Sequence, residues 1–299
     1  MDRIDCMKSF VRAIEINSFS AVAREQQTTQ SKISKQIAAL EKHLGVQLLT
    51  RSTTNLKLTE EGKKYYKYCQ QILEAIAEAE ANLTEKERPT GILHIGCPVL
   101  FGQMQIVPRL QSFMNRFPDI KIDLMMTDHF VDIVESGLDL IIRIGNHGNK
   151  DLISHQIGLT RRVTIATKKY FQNAGEPITP ADLTTHNCIV YTNLTTVNEW
   201  HFQGSEGASK VKVEGRFQTN SSVAVRSAVL SGLGVAIAPV WMFGDEIYRG
   251  DLQVVLQDYQ PTPLPIYAVY RRSRFYPAKI SSFIDFLTDE FKLDPWVSS

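Results

Sequence analysis

The sequence predicts an α/β chain in three parts: an N-terminal winged helix-turn-helix, a long connecting helix with coiled-coil periodicity, and a larger domain of alternating strands and helices. Three observations predict it. The first sixty residues hold three short helical patterns and then two short apolar runs around a polar turn. The stretch between Gly62 and Pro89 contains neither Gly nor Pro and keeps an apolar period of about 3.5 residues. From Gly91 onward short apolar strands alternate with helical patterns.

A chain of 299 residues exceeds what one hydrophobic core organises, so a small domain plus a larger one is expected. With 43% hydrophobic and 22% charged residues the composition is that of an ordinary soluble globular protein, and no apolar run is long enough to cross a bilayer. The opening MDRIDCMKSF lacks the basic end and unbroken apolar stretch of a secretion signal, which makes a cytoplasmic address the expectation. Cys6, Cys69, Cys97 and Cys188 lie far apart with no C-x-x-C spacing, against a disulfide framework or a structural zinc site. A net charge of +1 conceals an uneven distribution. Met1 to Lys64 carries eleven Lys and Arg against seven Asp and Glu, a balance of +4, while 65–88 carries −2 and the remainder −1. The excess positive charge therefore sits where a phosphate backbone would meet it.

Ile4, Met7, Val11 and Ile14 form one apolar stripe, so a first helix runs to about Asn17 and Ser18. A second, short helix lies in FSAVAREQQ, capped by Ser18 or Ser20, and its small residues Ala21, Val22 and Ala23 let another helix approach closely. After the turn QTT a third helix begins near Gln30 and buries Ile33, Ile37, Leu40 and Leu44, which leaves Gln30, Ser31, Lys32, Ser34 and Lys35 on the other face. Such a face suits major-groove reading, Gln30 meeting a base edge and Lys35 a phosphate or guanine. Polar residues alone would equally suit the wet side of a core helix; the continuation decides. In LEKHLGVQLLTRSTTNLKLTEEG, Gly45 ends the third helix and the runs Val46 to Leu49 and Leu56 to Leu58 flank a polar turn with Arg51 beside it, a wing with a phosphate-seeking arginine. The candidate DNA contacts are Ser18, Ser20, Thr29, Gln30, Ser31, Lys32, Ser34 and Lys35, with Arg51 and Thr53 on the wing.

These residues resemble the LysR-type transcriptional regulators, through F-S-A-V-A, then Q-S-K-I-S-K-Q-I-A-A-L-E-K-H-L-G, then L-L-T-R and L-T-E-E-G in that order. Three departures are mild: Gln26 stands where an apolar residue is usual, Lys35 where relatives often have arginine, and Leu49 where they have phenylalanine. The resemblance implies a DNA-binding domain over 1–60.

Between 61 and 88, Tyr65, Cys69, Ile72, Ile76, Ala79 and Leu83 recur at steps of four and three, a coiled-coil seam that predicts a paired linker helix. Thr59, Glu60 and Glu61 make an acid-rich start that favours the helix dipole, and ERPTG reads as a hinge. A dimer would present two recognition helices to the half-sites of a partly symmetric operator on double-stranded DNA.

The third part, 89–299, alternates ILHIG, a helix around Met104 to Phe117, KIDLMM, a helix near Val131 to Ser136, and DLIIRIG. A second set follows in RRVTIAT, NCIVYT, VKVEGRF, the helix Ser222 to Ser231 and GVAIAP; LPIYAVYRR and the helix Ala278 to Leu293 complete the first. A mostly parallel sheet covered by helices on both faces is expected. G-L-D-L-I-I-R-I-G and S-G-L-G-V-A-I-A-P resemble the effector-binding half of the same family, a two-lobed fold like periplasmic-binding proteins. By that resemblance 91–162 and 266–299 form one lobe, 163–265 the other, and a small-molecule effector sits between them. Four subunits and contact with RNA polymerase are also what the resemblance implies.

Ligands of open α/β sheets lie beyond the carboxyl ends of strands, near helix N-termini whose free N–H groups attract anions. The candidates are Cys97, Pro98, Val99, Leu100 and Phe101, then Thr127, Ile144, Gly145, Thr192, Asn193, Asn220 and Ser221, with His201 between Trp200 and Phe202 as an aromatic wall. Cys97 also offers a redox-sensor alternative, since a helix N-terminus can lower a thiol's pKa; Cys188, in an apolar strand, reads as core. The seven histidines have no metal-ligand spacing, and no nucleophile elbow, Walker loop or dinucleotide fingerprint appears, so no enzyme, metal or cofactor is expected. A solute-binding transport receptor of the same lobed shape is the rival, opposed by the helix-turn-helix and the seam.

Overall fold

The computed structural model describes residues 2–51, 56–83, 89–133, 135–145, 152–194, 196–205, 207–271 and 277–297. Contacts divide the chain into two units, Met1–Glu87 and Arg88–Ser299.

In the first unit, α1 (Arg3–Ile16), α2 (Phe19–Glu25) and α3 (Gln30–Leu44) precede the hairpin β1 (Leu49–Arg51) and β2 (Leu56–Leu58), and α4 (Glu60–Leu83) follows. Capping sets the breaks. Ser18 Oγ accepts from Ala21 N–H at the start of α2, Thr29 Oγ1 accepts from Lys32 N–H at the start of α3, and Gly45 ends α3 in the left-handed conformation (φ 71°). Phe10, Ile33, Ile37, Leu40 and Leu48 are fully enclosed in one core. Gln26, the residue that departs from the apolar norm, is accommodated by a polar contact. Ser9 Oγ lies 3.1 Å from Gln26 Oε1 and 3.0 Å from the buried Gln36 Oε1, so one hydroxyl ties α1, the end of α2 and α3 together.

The wing is held from behind. Glu41 of α3 accepts from the backbone N–H groups of Leu48 (2.9 Å) and Leu49 (3.2 Å), and Asn17 Oδ1 accepts from Leu56 N–H (3.0 Å). The L-T-E-E-G motif then has a physical reading. Thr59 Oγ1 donates to the Gln47 carbonyl and accepts from Gly62 N–H, while a Cβ at Gly62 would lie 2.0 Å from the Leu48 carbonyl oxygen. Only glycine lets α4 start this close to the strand.

The linker seam needs correction. Tyr65 and Cys69 face the chain's own core: Cys69 is fully buried, and the Phe10 ring centroid lies 6.1 Å from that of Tyr65 and 6.2 Å from that of Tyr66. Ile72 is 40% exposed, and Tyr68, absent from the expected seam, is 52% exposed. The helical period is right, but its first turns belong to the DNA-binding domain. The side chains of Ala79 and Leu83 lie outside the described residues.

The second unit opens with β3 (Gly91–Cys97), then α5 (Val99–Phe101), which continues through a π turn (Gly102–Ile106) into α6 (Val107–Arg116). Next come β4 (Ile120–Met126), β5 (Leu140–Ile144), β6 (Leu152–Thr160), β7 (Arg162–Thr167), α7 (Lys168–Ala174) and β8 (Ile189–Tyr191). They are followed by β9 (Glu199–Gly204), β10 (Gly207–Lys212), β11 (Phe217–Thr219), α8 (Ser222–Leu230) and β12 (Ala236–Pro239). The chain closes with α9 (Gly244–Arg249), β13 (Leu252–Val255), β14 (Gln260–Pro261), β15 (Leu264–Arg271) and α10 (Ala278–Leu293).

The first lobe is a five-stranded sheet ordered β4-β3-β5-β15-β6. The second holds β12-β7-β13 and the pair β11-β8, joined by a Cys188–Val235 bridge, with β10-β9-β14 beside them. The expectation of a mostly parallel sheet is wrong. β3 runs parallel to β4 and β5, but β15 is antiparallel to β5 and β6, and β7 is antiparallel to β12 and β13. An apolar run reports burial on both faces and carries no information on direction. The helix expected near Val131 to Ser136 is also absent from the described residues, which form turns there. Asp132 Oδ1 takes the Glu135 N–H and Gly137 (φ 69°) ends the segment, while Val134 is outside the described residues. VKVEGRF is no single strand; it spans the end of β10 and the start of β11. In S-G-L-G-V-A-I-A-P, a Cβ at Gly234 would lie 2.0 Å from the Asn187 carbonyl oxygen, so the second glycine serves close packing between strands.

One core crosses between the lobes. Phe101 of α5 meets Trp241, just after β12, edge-on at 5.3 Å, and meets Phe291 of α10 at 6.0 Å.

Candidate functional site

On α3 the apolar and polar faces separate cleanly. Ile33, Gln36, Ile37 and Leu40 are buried, Gln30, Ser31, Lys32 and Lys35 are exposed, and Ser34 is half-buried between them. Ser20 is exposed on α2, whereas Ser18 and Thr29 spend their hydroxyls on helix caps. Arg51 ends β1, but its side chain, like the whole of Thr53, lies outside the described residues.

Between the lobes of the second unit is a cavity of about 410 Å³, and beside it a second of about 230 Å³ that shares Ile144, Gly145, Arg162, Tyr191, Asn193 and Leu264. Apolar groups dominate the larger one: Phe101, Phe130, Ile144, Tyr191, Trp241, Met242 and Leu264. Among its polar lining residues, Asp128 makes contacts to both lobes. One carboxylate oxygen accepts from Val99 N–H (3.0 Å), the first residue of α5 in the first lobe. The other accepts from Ser222 N–H (3.1 Å) and Ser222 Oγ (3.3 Å), at the start of α8 in the second. Asn193 Nδ2 donates to the Asp128 carbonyl (2.8 Å) and the Asn220 carbonyl (2.9 Å). The Asp128 side chain thus bridges the lobes at two helix N-termini, where dipole and free N–H groups both favour negative charge.

Two guanidiniums border the same space. Arg143 lies over the Phe130 ring, 4.1 Å from its centroid, and donates through Nη2 to the Val131 carbonyl (3.0 Å). Arg162 donates through Nε to the Thr262 carbonyl (2.7 Å). Burial lowers the pKa of both, that of Arg162 to about 10. Cys97 is buried, and burial followed by the charge of Asp128 pushes its thiol up to about 12. His201 Nε2 sits 2.8 Å from Glu199 Oε1 on the wall of the smaller cavity. Among the described residues no group of three or more His, Cys, Asp or Glu is placed to hold a metal ion, and no helix is long and apolar enough to cross a membrane.

Residues 4–63 match the bacterial regulatory helix-turn-helix family of lysR type, and residues 86–292 match the LysR substrate-binding domain. This chain belongs to the LysR family of transcriptional regulators. The LysR-type assignment covers almost its whole length. The transcriptional activator AaeR of Escherichia coli K12 is 33% identical over 97% of this chain and 94% of its own. The full-length structure of the Vibrio cholerae virulence activator AphB is 29% identical with a TM-score of 0.59, covering 97% of this chain and 99% of that one. CrgA, a LysR-type regulator from Neisseria meningitidis, gives 28% and 0.61, with 96% and 98% covered. As a LysR-type regulator the protein carries a DNA-binding domain and an effector-binding domain, and regulators of this type oligomerise. The transport-receptor reading ends with the helix-turn-helix match.

Within the LysR-type effector domain the sequence-derived residues sort into two groups. Cys97, Pro98, Phe101, Thr127, Ile144, Gly145 and Asn193 line the larger cavity, and His201 with Trp200 lines the smaller. Val99, Leu100, Thr192, Asn220 and Ser221 line neither. Val99 gives its N–H to Asp128, Leu100 is buried, Thr192 N–H pairs with the Thr219 carbonyl, and Ser221 caps α8. Phe202 is core. Sequence reasoning missed Asp128, Arg143, Arg162, Tyr191, Ser222 and Trp241. For the three charged residues the available signal was charge in or beside a strand: Asp128 follows β4, Arg143 lies within β5, and Arg162 opens β7.

Proposed function

We propose that this LysR-type regulator reads its operator through the exposed N-terminal face of α3, with Gln30, Ser31, Lys32, Ser34 and Lys35 in the major groove, Ser20 nearby, and the wing residues Arg51 and Thr53 on the backbone. The observation that carries the reading is the separation of faces on α3, since groups that neither pack nor cap are free to meet bases and phosphates. The effector occupies the cleft between the lobes and, by changing their closure, changes how paired DNA-binding domains span two half-sites. Pairing runs through the outward stripe of α4 around Tyr68, Ile72 and Ile76. A cytoplasmic dimer or tetramer that acts on RNA polymerase and performs no catalysis completes this reading. The burial of Cys97 supports a small-molecule effector over a redox switch, since a thiol pushed up to about 12 stays protonated at neutral pH.

The test is a footprint and gel-shift titration on the DNA immediately upstream of the protein's own gene. Lys35→Ala and Gln30→Ala are each expected to weaken operator binding about tenfold, the cost of one base or phosphate contact. Unchanged affinity in both variants, at matched salt, would remove α3 from the groove.

A further inference from the structure

The hairpin that forms the wing is too short to hold its own place. Strands β1 and β2 have three residues each, and a lone two-stranded ribbon is marginal in water. Its base is secured several times over: Glu41 accepts from the Leu48 and Leu49 N–H groups, and Thr59 donates to the Gln47 and Leu48 carbonyls. Toward the turn between the strands, beside Arg51, one hydrogen bond to the helices remains among the described residues. It runs from Leu56 N–H to Asn17 Oδ1 at 3.0 Å.

The strand register shows why that N–H needs a partner outside the hairpin. Thr59 N–H donates to the Leu48 carbonyl, and bonded and non-bonded pairs alternate along an antiparallel ladder. Thr50 and Lys57 are then the next bonded pair, and Arg51 and Leu56, directly opposite each other, are a non-bonded one. The Leu56 N–H therefore points away from β1, across from the residue assigned to the phosphate backbone.

Asn17 is placed to receive it. It ends α1 in the left-handed conformation (φ 55°, ψ 31°), and Ser18 beside it caps α2, so its backbone is fixed between two helices packed on the core around Phe10 and Val22. Glycine adopts that conformation at least cost, so what asparagine adds at this corner is its amide, which reaches a residue 39 positions along the chain.

We propose that Asn17 is a positioning residue for DNA binding: its amide oxygen holds β2 against the corner between α1 and α2 and so keeps the wing, with Arg51 and Thr53, set in place beside the recognition face of α3. Asn17 meets no phosphate in this scheme and acts through the wing alone. A wing held before DNA arrives spares the complex the cost of ordering it. The inference rests on the wing reading proposed above and adds the residue that preorganises it.

The experiment titrates the full-length protein against the footprinted upstream duplex at matched salt, in a cycle of the parent, Asn17→Gly, a wing variant with Arg51→Ala and Thr53→Ala, and all three changes together. Asn17→Gly is expected to weaken binding about fivefold, the worth of one neutral hydrogen bond. Its thermal midpoint should stay within about 3 °C of the parent, because glycine suits the left-handed turn. Within the wing variant the same change should cost nothing further. Asn17→Ala loses the amide and also strains the turn, so it should match Asn17→Gly in DNA affinity while melting lower. Hydrogen–deuterium exchange over 50–58 in the DNA-free protein should quicken in both and stay slow in Asn17→Asp, which keeps an acceptor oxygen. A fivefold loss that persists within the wing variant would overturn the proposal, since Asn17 would then act on the domain at large. Unchanged affinity or unchanged exchange in Asn17→Gly, beside a weakened wing variant, would overturn it and leave the wing reading standing. Full affinity in the wing variant would take the wing off the backbone, and this proposal with it.

Discussion

Gly62 sits where α4 leaves the wing, and the space a side chain would need holds the Leu48 carbonyl oxygen, 2.0 Å from an added Cβ. Backbone cannot swing aside as a flexible side chain can, so Gly62→Ala should destabilise the DNA-binding unit by about 2–3 kcal/mol, read as a lower urea midpoint for that unit's transition. Cys97 makes a second prediction at this scale. Its thiol packs against Gly102 in the π turn, where an added Cβ would lie 2.7 Å from Sγ, and burial keeps the thiol protonated. Iodoacetamide should label Cys97 about a hundredfold more slowly in the native protein than in urea, by mass spectrometry, in line with the loss of thiolate and access together. Fast native labelling would bring back the redox alternative. The cap of α2 at Ser18 was legible, as one of two candidates with Ser20, because its partner lies three residues away, whereas Thr29, read as a DNA contact, caps α3. Asp128 was not: its partners Val99 and Ser222 are 29 and 94 positions distant, and no local pattern marks a carboxylate that serves two helices at once.

At the scale of elements, α4 does two jobs in succession. Its first turns lay Tyr65, Tyr66, Cys69 and Leu73 on the core around Phe10, and the face carrying Tyr68 and Ile72 is left outward. Placing a charge on that outward face should split the oligomer without unfolding the unit. Ile72→Asp is expected to shift the protein toward monomer in sedimentation velocity at about micromolar concentration, since a buried unpaired charge costs several kcal/mol in a coiled-coil seam. An unchanged sedimentation coefficient would move the dimer contact elsewhere. Periodicity reads such helices well, and α8 and α10 fall within a residue of expectation because their apolar repeats are long. The strands β6, β9, β10, β13 and β14 were missed or blurred for the opposite reason. LISHQIGLT and EWHFQG mix polar with apolar residues, and their strand identity comes from neighbours distant in sequence, β15 beside β6 and β14 beside β9.

For the molecule as a whole, the sequence predicts three parts from local signals, a run of caps and stripes, then a Gly- and Pro-free helix, then alternating strands, and contacts gather the chain into two units, the helix falling in the first. The chemistry of the cleft was not, because Asp128, Arg143, Arg162 and Trp241 come from four separated segments that only the two-lobed fold gathers. The bridging carboxylate of Asp128 has a consequence for how such a protein could change its signal over evolutionary time. A cleft whose helix starts are sealed from within keeps those donors in reserve. Exchange of this one residue for a small neutral one would leave the N–H groups at two helix N-termini without their carboxylate and open a seat for an anion, without altering any strand. The range of molecules the protein answers to is then widened by unmasking a site the backbone has always possessed, and the same exchange would loosen the tie between the lobes through which any such answer is expressed.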